Sequence, residues 1–106
     1  SASAAGDPFA VLGLPPVGAD GLGRPVWDVE DGAVPRAFRK RSLQVHPDKH
    51  GGSAEAQRAF DAVAAAARAL RDPVGRREAL EAAAKRVADA RAAAEGAGKA
   101  VERARE

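Results

Sequence analysis

Cysteine is absent from this sequence, which excludes a disulfide framework and a thiolate metal site. No apolar run is long enough to cross a membrane, so we expect no membrane association. Large apolar side chains are also scarce, because 28 of the hydrophobic residues are alanine and only 20 are larger. Such a number suits a small helical core of roughly 60–75 residues. We therefore expect part of the 106-residue chain to lie outside the core.

Charge is distributed unevenly along the chain, although the net charge is only +2. Residues 7–31 hold five acids and one base, whereas residues 36–49 hold five bases and one acid. The basic segment is thus a local patch and not the general excess of a nucleic-acid-binding protein. It contains no asparagine, and its acidic neighbour would repel phosphate, so direct binding to nucleic acid is not expected.

The first part of the chain predicts a short helix followed by a long loop. Asp7 is a suitable N-cap and Pro8 suits the first helical position, so a helix of one or two turns should begin there and end at Gly13. Prolines and glycines then follow closely, which predicts a loop over residues 15–31. Residues 1–6 are expected to be a disordered N-terminal segment.

The second predicted helix is amphipathic and basic. It should begin between residues 28 and 32 and end at His46, because Pro47 disfavours helical geometry in the residue before it. At about 100° per residue, one face carries the stripe Val34, Phe38, Arg41 and Val45, which we expect to be buried. The opposite face carries Arg36, Arg39, Lys40 and Leu43 and leads directly into His46.

The rest of the chain predicts two more helices. Ser53 is a suitable N-cap for the third helix, which Asp72 and Pro73 should end. The second and third helices, joined by a short turn, form an antiparallel αα-hairpin. A fourth helix follows, and residues 81–106 continue it as a helical extension rich in alanine, arginine and glutamate. The predicted fold class is all-α.

The segment His46-Pro47-Asp48-Lys49-His50 admits several interpretations. Its His-x-Asp-x-His pattern suggests a metal site, but the proline breaks the helix that would place both imidazoles on one face, and no third strong ligand is apparent. A hydrolase that combines a serine with this histidine and aspartate is disfavoured, because the two residues are too close in sequence for an oriented triad. We therefore expect no enzyme, no metal and no cofactor.

Four ordered blocks of sequence resemble the J-domain, the module by which co-chaperones of the DnaJ (Hsp40) family engage Hsp70. The blocks are Asp7-Pro-Phe-Ala-Val-Leu-Gly-Leu14, Phe38-Arg-Lys-Arg-Ser-Leu-Gln-Val-His-Pro-Asp-Lys49, Phe60-Asp-Ala-Val63 with Leu70-Arg-Asp-Pro73, and Gly75-Arg-Arg-Glu-Ala-Leu80. The resemblance assigns residues 7–80 to a J-domain. The last block resembles the subfamily C type, and spliceosome-associated J-proteins in particular.

The resemblance implies a fold and a function. Helices II and III form the antiparallel hairpin, helix I is short, and helix IV is extended at its C-terminal end. The His-Pro-Asp loop and basic helix II dock on the ATPase domain of an Hsp70 near its linker and stimulate ATP hydrolysis. The residues expected to bind Hsp70 are His46, Pro47, Asp48, Lys49, Arg36, Arg39, Lys40 and Leu43. The residues expected in the core are Val11, Leu12, Val34, Phe38, Val45, Phe60, Val63 and Leu70.

Departures from the family pattern keep two other functions open. Arg41 stands where a core leucine is usual, Ala67 stands where a tyrosine is usual, and the loop before helix II is longer than in the family. One alternative is a degenerate J-domain that no longer stimulates ATPase activity. The other is an interaction module of a spliceosomal or other RNA-processing complex, in which the C-terminal helix binds a protein or RNA partner and Hsp70 recruitment is secondary. An intracellular location, in the nucleus or cytosol, is expected.

Overall fold

The computed structural model describes the backbone of residues 7–105 and the side chains of residues 7–98 and 104. In chain order its elements are helix α1 (Pro8–Val11), strands β1 (Gly18–Ala19) and β2 (Pro25–Val26), helix α2 (Ala33–Val45), a 3₁₀ helix (Pro47–His50), helix α3 (Ala54–Arg71) and helix α4 (Pro73–Arg105). The predominance of helix in this part of the chain confirms the predicted all-α class. None of these helices is long and apolar enough to span a membrane. The prediction for residues 1–6 lies outside the described residues.

Side-chain caps define where three of the helices begin. Asp7, Ser53 and Asp72 each accept a hydrogen bond from a backbone N–H two or three residues ahead, at 2.9–3.1 Å. Each bond satisfies a donor that the first turn of a helix leaves without an intrahelical partner. Helix α2 instead follows Gly32, which offers no side-chain cap.

The core lies between the four helices and includes several small residues. Buried in it are Phe9, Leu12, Val17, Val34, Val63, Ala66, Ala67, Leu70 and Ala83. Partly buried against it are Val11, Leu14, Trp27, Ala37, Phe38, Val45, Ala79 and Leu80. Seven of the eight residues expected in the core belong to one of these two groups, and Phe60 is the exception. Three of the nine buried residues are alanines, whose small side chains let neighbouring helices approach closely.

The segment predicted as a loop over residues 15–31 contains a small β-hairpin, so that prediction needs correction. Strands β1 and β2 are antiparallel, with Gly18 opposite Val26 and Ala19 opposite Pro25. Strands this short carry no alternation of apolar and polar residues, and the surrounding prolines and glycines indicate a loop. The alternation of apolar and polar residues therefore could not predict the hairpin.

Asp20 holds the turn of this hairpin. Its carboxylate accepts hydrogen bonds from the backbone N–H groups of Leu22 and Arg24 and from the Arg24 side chain, at 2.8–2.9 Å. These bonds, above all the one from the Arg24 backbone, lower the pKa of Asp20. Gly23 has a φ of 78°, a left-handed conformation that glycine adopts without steric cost.

Trp27, directly after the hairpin, covers the core at α1. Its ring meets Phe9 edge-on, with centroids 4.9 Å apart. Its Nε1–H donates to the carbonyl of Pro15 at 2.9 Å, which joins the two ends of the hairpin segment. The Arg76 guanidinium lies 5.6 Å from the Trp27 ring centroid and is 3.2 Å from the Asp31 carboxylate. Trp27 therefore links the hairpin to both α1 and α4.

Helix α4 is continuous across residue 80, the predicted boundary between the J-domain and the helical extension. The hairpin contacts it well beyond this point, because Arg91 Nη1 donates to the Ala19 carbonyl at 2.7 Å. Ala84 lies two turns before Arg91 on the same face of the helix and is completely buried. The packed part of the domain therefore reaches Arg91.

Arg41 occupies the edge of the buried face of α2, as its position in the stripe predicts. It is half-buried, and its guanidinium lies so close to Gly13 that a Cβ there would be 2.7 Å from Nη2. Gly13 also has a φ of 69°, so both its conformation and this contact favour glycine. The charged end of Arg41 remains near the surface, where Nη1 donates to Gln44 at 3.4 Å.

We predict that Ala84→Leu lowers the free energy of unfolding by about 1–3 kcal/mol, because the larger side chain must force α4 away from the elements that bury Ala84. Ala82→Leu, the same substitution at an exposed position of the same helix, should change it by less than about 0.5 kcal/mol. Urea denaturation of both variants checks this, and equal stabilities would contradict tight packing of α4.

Candidate functional site

The turn between α2 and α3 is short and ordered by its own backbone. The 3₁₀ helix Pro47–His50 is closed by a hydrogen bond of 2.7 Å from the Gly52 N–H to the Pro47 carbonyl. Gly51 and Gly52 have φ values of 64° and 69°. Since side chains other than glycine rarely adopt this conformation, the two glycines let the chain return into α3 within a few residues.

His46 is held between the turn and α3. Its Nδ1 accepts a hydrogen bond from the Asp48 backbone N–H at 3.2 Å, so the neutral ring carries its hydrogen on Nε2. Its ring lies edge-on to that of Phe60, with centroids 5.6 Å apart. Phe60 was expected in the core, but it is only half-buried, because at this position α3 faces the end of α2 and the turn. No pattern in the sequence predicted the contact between Phe60 and His46.

Asp48 presents its carboxylate to solvent. The side chain is 92% exposed, although its backbone N–H is engaged by His46. Lys49, the next residue, is also exposed. An exposed carboxylate on an ordered turn can accept charge-assisted hydrogen bonds from a partner without first ordering its backbone.

His50 has a structural role. Its Nε2–H donates to the backbone carbonyl of Gln44 at 2.9 Å, one of the carbonyls that the end of α2 leaves without an intrahelical partner. Both imidazoles of the His-x-Asp-x-His pattern are thus engaged by nearby backbone groups, that of His46 by the turn and that of His50 by the end of α2. Among the described side chains, those of residues 7–98 and 104, there is no cluster of three or more histidine, aspartate or glutamate residues that could bind a metal ion.

The basic face of α2, defined by Arg36, Arg39, Lys40 and Leu43, leads to this turn. All four side chains are exposed, and Leu43 retains 55% of its accessible surface. Arg36 forms an ion pair with Glu30 in the preceding segment. Among the described residues, neither Arg39 nor Lys40 has an ion-pair partner. Two cations and one aliphatic side chain therefore remain available beside His46 and Asp48.

Comparison with known proteins identifies the segment that carries this site. The DnaJ domain profile matches residues 25–79. Chaperone protein DnaJ of Maridesulfovibrio salexigens is 41% identical over 46 residues. Proteins of the same name from Bartonella quintana and Bartonella henselae are each 39% identical over 46 residues. In each case the match covers 43% of this chain and 12% of the relative. No solved structure gives a significant match to the chain.

Proposed function

Because the chain belongs to the DnaJ domain family, we propose that it is a co-chaperone module that binds an Hsp70 through its His-Pro-Asp turn and stimulates ATP hydrolysis by that partner. The observation that carries the proposal is the Asp48 carboxylate, which is almost fully exposed on a turn that is already ordered. The turn also stands at the end of a helix face with uncommitted positive charge.

In this proposal Asp48 provides the specific contact. A carboxylate accepts two parallel hydrogen bonds from an arginine guanidinium, and such charge-assisted pairs are stronger than neutral ones. Pro47 and the hydrogen bond from the Asp48 N–H to His46 limit the conformations of the turn, so little entropy is lost when it docks. His46 thus acts partly as a positioning residue for Asp48.

The basic face of α2 orients the module on Hsp70 and accelerates their association. Arg39 and Lys40 attract an acidic surface of the Hsp70 ATPase domain or its linker region, which raises the rate of encounter more than the final affinity. Leu43 adds apolar contact area between these charges and the turn. Arg36 contributes less, because its guanidinium is already paired with Glu30.

The module itself catalyses no reaction in this proposal. It acts on the ATPase cycle of its partner and needs no metal or cofactor, because all of the proposed contacts come from side chains on α2 and the turn. We further propose an intracellular location, in the nucleus or the cytosol.

We predict that Asp48→Asn lowers the stimulation of Hsp70 ATPase activity about 10- to 100-fold, since a hydrogen bond to a charged group contributes roughly 1.5–3 kcal/mol. The helical circular dichroism should not change, because the side chain is exposed. A single-turnover ATPase assay measures the effect. Asp89→Asn, an equal change at an exposed position of α4, is the matched control and should retain full stimulation. Full stimulation by Asp48→Asn would disprove the mechanism.

The double variant Arg39→Glu/Lys40→Glu should slow association with Hsp70 about tenfold or more at low salt, because charge complementarity accelerates encounter by about 10–10³-fold. The difference from the unmodified chain should shrink toward physiological ionic strength, where exposed charges are screened over about 8–10 Å. Stopped-flow binding at several salt concentrations tests this. The control Arg58→Glu/Arg68→Glu reverses two exposed charges on α3, and an equal effect there would point to net charge instead of this face.

A second candidate function is favoured by the end of α4. Residues 92–98 are exposed, and the helix continues to Arg105. Of the residues past Arg91, Ala92 and Glu95 still border a cavity beside the hairpin. We propose as the alternative that this helix attaches the module to a protein or RNA component of an RNA-processing complex, as the resemblance to subfamily C and spliceosome-associated J-proteins suggests, and that Hsp70 recruitment is secondary.

Removal of residues 96–106 separates the two candidates. The shortened chain keeps the Arg91 contact with Ala19, so its melting temperature and its stimulation of Hsp70 should match those of the full chain. A cut after Leu80 removes Ala84 and Arg91 and should lower the melting temperature markedly. If the alternative holds, the chain without residues 96–106 no longer sediments with RNA-processing complexes in cell extract. Loss of ATPase stimulation by this chain would contradict both assignments.

A further inference from the structure

A groove lies between β2 and the first turns of α4, remote from the His-Pro-Asp turn. It encloses about 340 Å³. Its lining comes from Pro25 on β2, Arg71 at the end of α3, and Pro73, Arg76, Arg77 and Leu80 on α4. Positions 73, 76, 77 and 80 share one side of the helix. The groove therefore joins an apolar floor to three guanidinium groups.

Two of these arginines are held in place by aromatic rings. The Arg71 guanidinium lies 5.6 Å from the Phe38 ring centroid, and the Arg76 guanidinium lies 5.6 Å from that of Trp27. Arginines stacked in this way lose little rotamer freedom when they bind a further group. Arg77 is exposed, and no ion pair engages it among the described residues. It can therefore pair with a charge that a partner brings.

Two valines next to lining residues in the chain are also exposed. Val26 and Val74, the chain neighbours of Pro25 and Pro73, are 54% and 50% exposed. The one acidic side chain in the lining is Glu81.

We propose that this groove binds a short extended peptide segment of a protein partner, in which acidic residues flank an aliphatic side chain. The carboxylates pair with the guanidinium groups of Arg77 and Arg71, and the aliphatic side chain packs on Pro73 and Leu80. The proposal favours a peptide over a nucleic acid because none of the lining residues is an aromatic ring on which a base could stack.

The groove and the His-Pro-Asp turn lie at opposite ends of α3. Helix α3 has 18 residues and is therefore about 27 Å long, with the turn before its first residue and Arg71 at its last. The inference does not depend on the proposed co-chaperone function, and its test contains no Hsp70.

The test is a titration of the ¹⁵N-labelled full chain with the synthetic peptide Asp-Glu-Leu-Asp-Glu-Leu-Asp-Glu, followed by NMR. We expect the amide signals of residues 71–81 and 26–27 to shift and those of residues 46–50 to stay in place. Arg77→Glu should weaken binding about tenfold, equivalent to ~1.4 kcal/mol. The matched control is Arg58→Glu, an exposed arginine on α3 outside the groove, which should change affinity less than about twofold because it does not line the groove.

Two further ligands test the contribution of the apolar floor and the preference for a peptide over a nucleic acid. The same peptide with both leucines replaced by serine should bind more weakly, because it cannot use the apolar floor. A uridine octanucleotide should bind more weakly than the leucine peptide. The proposal fails if the groove signals do not shift, if both arginine variants weaken binding equally, or if the octanucleotide binds the groove more tightly than the peptide. Arg77→Gln provides a second variant should Arg77→Glu alter the reference spectrum.

Discussion

The scarcity of large apolar side chains is the constraint on which the rest of the structure depends. Phe9, Leu12 and Leu70 are the largest residues buried completely, and the first two come from the four-residue helix α1 and the C-cap that follows it. Alanines on α3 and α4 supply much of the remaining contact, and each buries little apolar area. A core of this size becomes more stable when a further segment packs on it and shields it from water. The hairpin with Trp27 provides that cover, which explains why a segment rich in proline and glycine is ordered.

The geometry of the candidate site rests on short-range contacts more than on the core. The Asp48 N–H is bonded to His46, the ring of His46 lies against Phe60, and His50 satisfies the carbonyl of Gln44. The two hydrogen bonds occupy polar groups of the turn and of the end of α2, which are therefore already paired before a partner binds. The Asp48 carboxylate, in contrast, remains exposed to solvent. A preorganised turn with one exposed charge needs little reorganisation on binding, so the scarcity of core contacts nearby does not weaken the site.

Local chemistry in the sequence was sufficient to predict the helices and the exposed basic face of α2. The caps Asp7 and Ser53 and the break at Pro47 depend on neighbouring residues only, and they agree with the structure. Contacts between distant residues could not be predicted in this way. The bond from Arg91 to Ala19 joins positions 72 residues apart, and it places the limit of the packed domain beyond residue 80. Helical spacing likewise placed Phe60 of α3 in the core, because spacing alone cannot indicate where the neighbouring antiparallel helix α2 ends.

Helix α3 connects two surfaces of different chemistry. At its beginning the turn offers a carboxylate next to the cations of α2, and at its end the groove offers arginines ordered by Phe38 and Trp27. The helix between them is capped by Ser53 and carries five buried side chains, which makes it a rigid spacer. Trp27 of the hairpin cover lies against Arg76, and both Arg76 and Pro25 of the hairpin line the groove. The segment that compensates for a small core therefore also shapes the second surface, so that stability and recognition depend on the same contacts.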